Sequence, residues 1–141
     1  MRMIIKVCFG FYLLIMSVKD IKNREIPLLL LASGIIFAPL FIMSDDRDGI
    51  IRYVTGMIPG IVFMIISFAS RGQLGQADAG VLICLGLCIG INGAIAVISV
   101  SLTLIAFTAM IMLLTGKFNR KSTLPYIPFV LLGYIFYMFL A

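Results

Sequence analysis

The chain has 141 residues, a net charge of +5 and an unusually apolar composition. Hydrophobic residues make up 62% of it and charged residues 12%, against roughly 45–50% and about 25% in ordinary soluble proteins. A soluble domain of this size buries only about two-thirds of the surface that its unfolded chain exposes, so it could not bury this many apolar side chains. The composition excludes a cytosolic enzyme, a nucleic-acid module and a disordered tail, and it predicts a protein that lies in a lipid bilayer.

Several kinds of catalytic site are excluded as well. The sequence contains no histidine, which rules out Ser-His-Asp and Cys-His catalysis and any His-ligated zinc site. Cys8, Cys84 and Cys88 lie inside apolar runs and form no Cys-x-x-Cys pair, so neither a zinc knuckle nor a disulfide framework is predicted. We expect Cys84 and Cys88, one turn apart, to pack as small apolar residues. We therefore expect neither a metal nor a cofactor.

Six apolar runs, separated by polar segments, predict one all-α domain over residues 1–141 with about six transmembrane helices. Each run must be helical, because a backbone polar group left unpaired in lipid is strongly unfavourable. The fourth and fifth runs are separated only by Ile91-Asn92-Gly93, which predicts a tight helical hairpin. In chain order the runs are Met3–Val18, Ile26–Met43, Tyr53–Ala69, Val81–Ile91, Ala94–Leu114 and Tyr126–Leu140.

Glycines and prolines inside these runs predict how the helices pack and bend. The spacings Gly56-x-x-x-Gly60 and Gly86-x-x-x-Gly90 would let the third and fourth helices approach their neighbours closely. Pro39 and Pro59 are expected to kink the second and third helices, because proline cannot donate the backbone hydrogen bond of a helix interior.

The distribution of basic residues predicts the orientation in the membrane. The connections after the first, third and fifth helices hold seven Lys and Arg residues, whereas the other side holds four and an acidic cluster at residues 45–48. The more basic loops of membrane proteins face the cytoplasm, so we expect both termini outside. The first set is Lys19, Lys22, Arg24, Arg71, Lys117, Arg120 and Lys121, and the second is Arg2, Lys6, Arg47 and Arg52.

Two acidic residues, Asp20 and Asp78, are predicted to lie at the same depth. A span takes about 20 helical residues, so the first helix must continue to about Asn23, which places Asp20 in its last turn. By the same argument the fourth helix must begin near Gly72, which places Asp78 ~9 Å inside the boundary. Both carboxyl groups are then expected at the cytoplasmic end of the bundle, on separate helices.

Each aspartate also has a simpler interpretation. Asp20 could be an interfacial charge beside Lys19 and Lys22, and Asp78 could be the N-cap of its helix. As a pair, the two carboxyl groups would share one proton, because both cannot ionise at close range without strong repulsion. One could then act as a base on water while the other polarises a carbonyl, as in an aspartic protease. An ion- or proton-coupled carrier could use the same pair as its titrating site.

Three segments resemble motifs of the type IV prepilin peptidases, which are membrane aspartic proteases with a Gly-x-Gly-Asp motif. Asp20, a basic stretch and Ile26-Pro27 are similar to the segment that follows the first helix of that family. Gly75-Gln76-Ala77-Asp78 resembles the Gly-x-Gly-Asp motif. Residues 124–133, which include Pro128 and Phe129, match the spacing of the family's Ile-Pro-Phe-Gly-Pro-Phe segment.

The resemblance implies a function and a set of site residues. Asp20 and Asp78 would be the catalytic pair, with Gly75 and Ala77 setting the backbone path that presents Asp78. The substrate would be a pilin-like precursor, cleaved at the cytoplasmic face of the inner membrane between a short basic leader and its hydrophobic helix. The resemblance also implies supporting roles for Ile26, Pro27, Pro128 and Phe129, although prolines at helix starts have a purely structural explanation too. It implies no oligomeric state.

The chain departs from the family at two motif positions. Ala77 stands in place of the second motif glycine, and Gly80 stands in place of a lysine two residues after the aspartate. Alanine rarely adopts the backbone conformations that glycine permits. Either the backbone is ordinary at Ala77, which we expect, or the chain is a catalytically silent relative that acts as a membrane scaffold.

Overall fold

A computed structural model describes residues 2–23, 26–44, 49–71, 75–117 and 124–140. This part of the chain is 88% helical and contains no strand. The sequence prediction of an all-α protein is therefore confirmed. The helices are α1 (Arg2–Asn23), α2 (Leu28–Ile35), α3 (Phe37–Met43), α4 (Ile50–Thr55), α5 (Met57–Ala69), α6 (Gln76–Leu114) and α7 (Ile127–Leu140).

The breaks between α2 and α3 and between α4 and α5 confirm the predicted proline kinks. Only Ile36 separates the first two helices, and only Gly56 separates the second two. Each break lies three residues before a proline, Pro39 or Pro59. Proline has no N–H to bond the carbonyl four residues earlier, so the helix is interrupted just after that carbonyl.

The backbones of α5 and of the first half of α6 (residues 76–89) lie against each other at glycines. A Cβ added to Gly56 would collide with the carbonyl oxygen of Gly86, and one added to Gly60 would lie 2.6 Å from the backbone nitrogen of Ile83. The contacts run in opposite directions along the chain, so the two helices are antiparallel. The prediction that these glycine spacings serve helix packing is confirmed.

The long helix α6 reverses direction at Gly90, which has φ 76° and ψ 175°. Beyond this point Gly93 packs against Tyr137 near the end of α7, and Ser101 donates a hydrogen bond of 3.1 Å to the Phe129 carbonyl near its start. The second half of α6 (residues 91–114) therefore runs antiparallel to α7. The predicted hairpin is present, but its turn is at Gly90 rather than at residues 91–93, because the reversal needs a positive φ that glycine adopts readily.

The core of the bundle lies between α1, the first half of α6 and α7. The rings of Phe9 and Tyr134 pack edge to face with centroids 5.4 Å apart, and the Tyr134 hydroxyl donates a 3.0 Å hydrogen bond to the Lys6 carbonyl. Leu82 and Leu85 of α6 are fully buried and belong to the same hydrophobic core. These contacts fix the position of α1 along the bundle and therefore the depth of the residues in its last turn.

The outer surface of the bundle is strongly apolar. Phe11, Ile65, Phe107 and Phe136, which belong to four different helices, are each more than half exposed. Two helical stretches in the described part of the chain are long and apolar enough to cross a bilayer, Ile50–Ala69 and Gln76–Leu114. A surface of this kind is unfavourable in water and favourable in lipid.

The contact between Gly56 and Gly86 makes a prediction about stability. Gly86→Ala should lower the free energy of unfolding by about 2 kcal/mol or more, because the added Cβ collides with backbone that cannot move without separating the helices. Thermal unfolding of the purified protein in detergent measures this effect. Gly49→Ala is the matched control, since a Cβ at Gly49 meets nothing within 4 Å among the described residues. Equal melting temperatures for the two variants would show that the backbones are not in contact.

Candidate active site

Asp20 lies in the last turn of α1, as the sequence predicts, and its side chain is only 8% exposed. It shares one face of the helix with Leu13, Met16 and Ser17, all of which are buried. This face points into the bundle because the residues recur with the helical period. The interpretation of Asp20 as an ordinary interfacial charge is therefore wrong.

Asp78 lies in the first turn of α6 and is partly buried. The N-cap of this helix is Gly75, with φ −60° and ψ 120°, and no side chain bonds to the capping position. Two expectations are corrected by this finding. Asp78 is not the N-cap, and the helix begins at Gln76 rather than near Gly72, because the extended backbone of Gly75 cannot be part of a helix.

The carboxyl groups of Asp20 and Asp78 interact electrostatically, although they come from α1 and α6 and are 58 positions apart in the sequence. Their meeting requires the last turn of one helix to lie beside the first turn of the other. In surroundings of low dielectric constant, two such groups favour a state in which one is protonated. The structure thus brings together the two aspartates that the sequence singles out.

Gly75 makes space for the Asp78 side chain. A Cβ at Gly75 would lie 2.6 Å from Oδ2 of Asp78 and 3.1 Å from its Cγ. The φ of Gly75 is accessible to any residue, so glycine is required here by space and not by backbone conformation. Ala77, in contrast, is part of α6, and none of the positive φ angles in the described residues occurs there. The expectation of an ordinary backbone at Ala77 is confirmed.

Gly80, at the position where the family has a lysine, is covered by α2. A Cβ on Gly80 would lie 2.8 Å from Cδ1 of Leu31. The helix that carries Leu31 is held in place by two hydrogen bonds to its carbonyl groups. Tyr12 donates to the Leu30 carbonyl at 2.8 Å, and the Cys84 thiol donates to the Leu31 carbonyl at 3.6 Å. A side chain at position 80 would therefore collide with Leu31 as early as its Cβ.

The remaining motif residues lie at the starts of two helices. Pro27 is the N-cap of α2, and its carbonyl accepts hydrogen bonds from the Leu30 and Leu31 amides at 2.9 and 3.2 Å. Ile26, before it, packs against the core. Pro128 is the second residue of α7, and an N–H group in the first turn of a helix has no carbonyl partner within that helix. The missing N–H of proline therefore costs no hydrogen bond. Phe129 follows it, and its carbonyl accepts the Ser101 hydrogen bond. These contacts support a structural role for the prolines.

Tyr126, which sequence reasoning did not single out, lies at the same end of the bundle. It directly precedes α7, is 8% exposed and interacts electrostatically with Asp78. Its ring stacks on Phe63 of α5 with centroids 6.1 Å apart. One signal could have found it: the family segment has phenylalanine at this position, so a hydroxyl group has been added to the motif. We call the end that holds Asp20, Asp78 and Tyr126 the aspartate end.

The chemistry available at the aspartate end is acid–base chemistry. Cys84 and Cys88 are buried, as predicted. Within the described ranges, no three His, Cys, Asp or Glu side chains come together in a way that could hold a metal ion. Two carboxyl groups that interact in a largely apolar environment can act as a general base and a general acid toward water and a carbonyl group.

Comparison with protein families identifies the family of the chain. The model of the type IV leader peptidase family matches residues 7–141, almost the whole chain. The chain belongs to the type IV leader peptidase family. Comparisons with curated proteins and with solved structures find no match. The resemblance drawn from the three motif segments is therefore confirmed, and the protein is a leader-peptidase-like protease of a membrane-associated, aspartic-type family.

The contact between Gly75 and Asp78 makes a prediction about this leader peptidase. Gly75→Ala should lower its proteolytic activity roughly 10- to 100-fold, because the added Cβ displaces the Asp78 carboxyl group from its position. Cleavage assays on the purified protein, with the melting temperature measured in parallel, check this. Gly49→Ala again serves as the control and should keep full activity. Full activity in Gly75→Ala would show that the position of the Asp78 carboxyl group is not critical.

Proposed function

We propose that this leader peptidase is an aspartic endopeptidase with Asp20 and Asp78 as its catalytic pair. It removes the leader peptide of pilin-like precursors at the cytoplasmic face of the inner membrane. One observation carries the proposal: the carboxyl groups of Asp20 and Asp78 interact across two helices in a chain that matches this protease family over residues 7–141.

In the proposed reaction, a water molecule lies between the two carboxyl groups. The ionised carboxylate takes a proton from the water, whose oxygen attacks the carbonyl carbon of the scissile peptide bond. The protonated carboxyl group gives its proton to the carbonyl oxygen, which produces a tetrahedral intermediate. The C–N bond then breaks: the carboxyl group that took the proton of the water gives it to the leaving amine, and the other carboxylate takes a proton from a hydroxyl group of the intermediate, which restores the pair. The proton belongs to the pair, so neither aspartate has a fixed role.

The other nucleophiles of the chain are poorly suited to the reaction. The sequence has no histidine to activate a serine or a cysteine. Cys84 and Cys88 are buried in the core, and the Cys84 thiol donates its hydrogen bond to the backbone of α2. Of the residues that the structure describes at this end, the two aspartates are the groups that can activate water without a cofactor.

The hydroxyl groups of α6 support a location in lipid. Ser99 and Thr103 are exposed on the second half of the helix, and each donates a 2.8 Å hydrogen bond to the carbonyl four residues earlier. This arrangement satisfies a hydroxyl group where no water is available. Together with the apolar outer surface, it supports a multi-pass membrane protein in which the six predicted runs cross the bilayer.

The charge distribution supports a cytoplasmic active site and termini on the outside. Among the described residues, Lys19 and Lys22 lie near the end of α1 at the aspartate end, and Arg71 and Lys117 follow helices that finish there. Lys6 and Arg52 lie toward the opposite end. The more basic side of a membrane protein is retained in the cytoplasm. Arg24, Arg47, Arg120, Lys121 and the acidic residues at 45–48, which were counted in the sequence prediction, lie outside the described residues.

The depth of the aspartates suits a precursor that is cleaved beside its hydrophobic helix. Asp20 lies in the last turn of α1 and Asp78 in the first turn of α6, so both are within about 5 Å of a helix end. The peptide bond at the start of a membrane-embedded substrate helix lies at the same level. Such a precursor could therefore present its scissile bond to the pair while its helix stays in lipid.

The proposal predicts that Asp20→Asn and Asp78→Asn each abolish cleavage, with losses on the order of 10³-fold or more. Asparagine keeps the size of the side chain, so the fold should remain, but it cannot act as a general acid or base. Each variant is co-expressed with a candidate precursor, and removal of the leader is followed on gels. Lys22→Gln is the control, because it removes an exposed charge two residues after Asp20 in the same helix. This variant should cleave normally.

Three outcomes would contradict this proposal. Cleavage that persists in either asparagine variant would show that the pair is not catalytic. A wild-type protein that cleaves no precursor but carries ions or protons down a pH gradient would be a carrier. A protein that does neither would be a silent scaffold.

A further inference from the structure

The hydroxyl group of Tyr126 is buried without a hydrogen-bond partner among the described residues. The side chain as a whole is 8% exposed. Two other buried tyrosines contrast with it, since Tyr12 donates to the Leu30 carbonyl at 2.8 Å and Tyr134 donates to the Lys6 carbonyl at 3.0 Å. A buried donor with no partner is destabilising, so its presence at Tyr126 needs a reason.

Tyr126 is held in place from two sides. Its ring stacks on Phe63 at an interplanar angle of 22°. Its carbonyl accepts the amide hydrogens of Phe129 and Val130 at 3.0 and 3.2 Å, which anchors its backbone to the first turn of α7. The hydroxyl group is therefore fixed relative to the bundle by rigid elements, as a preorganised site requires.

The fixed hydroxyl group is close enough to the aspartate pair to interact with it electrostatically. Tyr126 interacts electrostatically with Asp78, and Asp78 in turn interacts with Asp20. Three polar groups from α1, α6 and the segment before α7 thus occupy one end of an otherwise apolar bundle. A neutral hydrogen-bond donor in such surroundings is most useful to a negative charge that develops nearby.

We infer that Tyr126 is a third catalytic residue, whose hydroxyl group donates a hydrogen bond to the carbonyl oxygen of the scissile peptide bond while negative charge builds on that oxygen, before the protonated aspartate transfers its proton to it. This inference rests on the proposed function. The bound precursor supplies the acceptor that the free protein lacks, which explains why the hydroxyl group is left without one. Tyr126 keeps its own proton throughout, and the aspartates carry out the proton transfers.

The test is Tyr126→Phe in the full chain, purified in detergent and assayed with a precursor that the wild type cleaves. Turnover should fall roughly 10²- to 10³-fold, as it does when one donor to an oxyanion is removed, with little change in KM. Binding of a peptide whose scissile bond is replaced by a hydroxyethylene group should weaken as well. The melting temperature should stay the same or rise, because the variant loses only a hydroxyl group that has no partner.

Tyr134→Phe is the matched control. It removes a buried hydroxyl group that does have a partner, so its melting temperature should fall while its turnover stays at the wild-type level. Wild-type turnover in Tyr126→Phe would overturn the inference. So would a loss of activity accompanied by a lower melting temperature or by failure to accumulate, because the hydroxyl group would then be structural.

The asparagine variants separate this inference from the function on which it rests. If Asp20→Asn and Asp78→Asn are inactive and Tyr126→Phe is fully active, the aspartic peptidase stands and the role of Tyr126 is wrong. If the asparagine variants still cleave the precursor, the proposed function is wrong and the inference falls with it.

Discussion

The arrangement of this protein depends on two acidic side chains that come together inside an apolar bundle. Asp20 and Asp78 lie on different helices and interact at one end of the core. Asp20 is buried and Asp78 is partly buried, and two such carboxyl groups close together are unfavourable unless they share a proton or meet a ligand. The surrounding helices must therefore hold the pair in place against its own repulsion.

Close backbone packing supplies that constraint. Gly56 and Gly86 place α5 directly on α6, Gly80 lets Leu31 of α2 cover the start of α6, and Gly75 leaves room for the Asp78 carboxyl group. The reversal at Gly90 then returns the chain so that α7 starts at the aspartate end. As a result Tyr126, on a segment far from either aspartate in the sequence, reaches the same site. Membrane proteins often use small residues to bring helices into close contact, because the hydrophobic effect does little to hold helices together in lipid.

The sequence predicted those features that depend on local pattern. The apolar runs, the breaks before Pro39 and Pro59, and the position of Asp20 follow from helical period, length and the missing N–H of proline. The features it missed depend on contacts between distant segments. The start of α6 at Gln76 is set by the extended backbone of Gly75, and the position of the hairpin turn is set by the positive φ of Gly90. Gly80 can replace a lysine because Leu31 packs against this position. The burial of the Tyr126 hydroxyl group likewise depends on Phe63 and α7, which no local pattern reveals.

The most direct measurement of the central claim is cross-linking between positions 20 and 78. Asp20→Cys and Asp78→Cys are introduced together in a protein whose Cys8, Cys84 and Cys88 have been replaced by alanine. Oxidation, or a short bis-methanethiosulfonate reagent, should join the two positions and protect both thiols from alkylation. A control pair, Asp20→Cys with Asn92→Cys near the opposite end of the bundle, should not react. Failure to join positions 20 and 78 in folded protein, or equal reaction of the control pair, would contradict the meeting of the two aspartates.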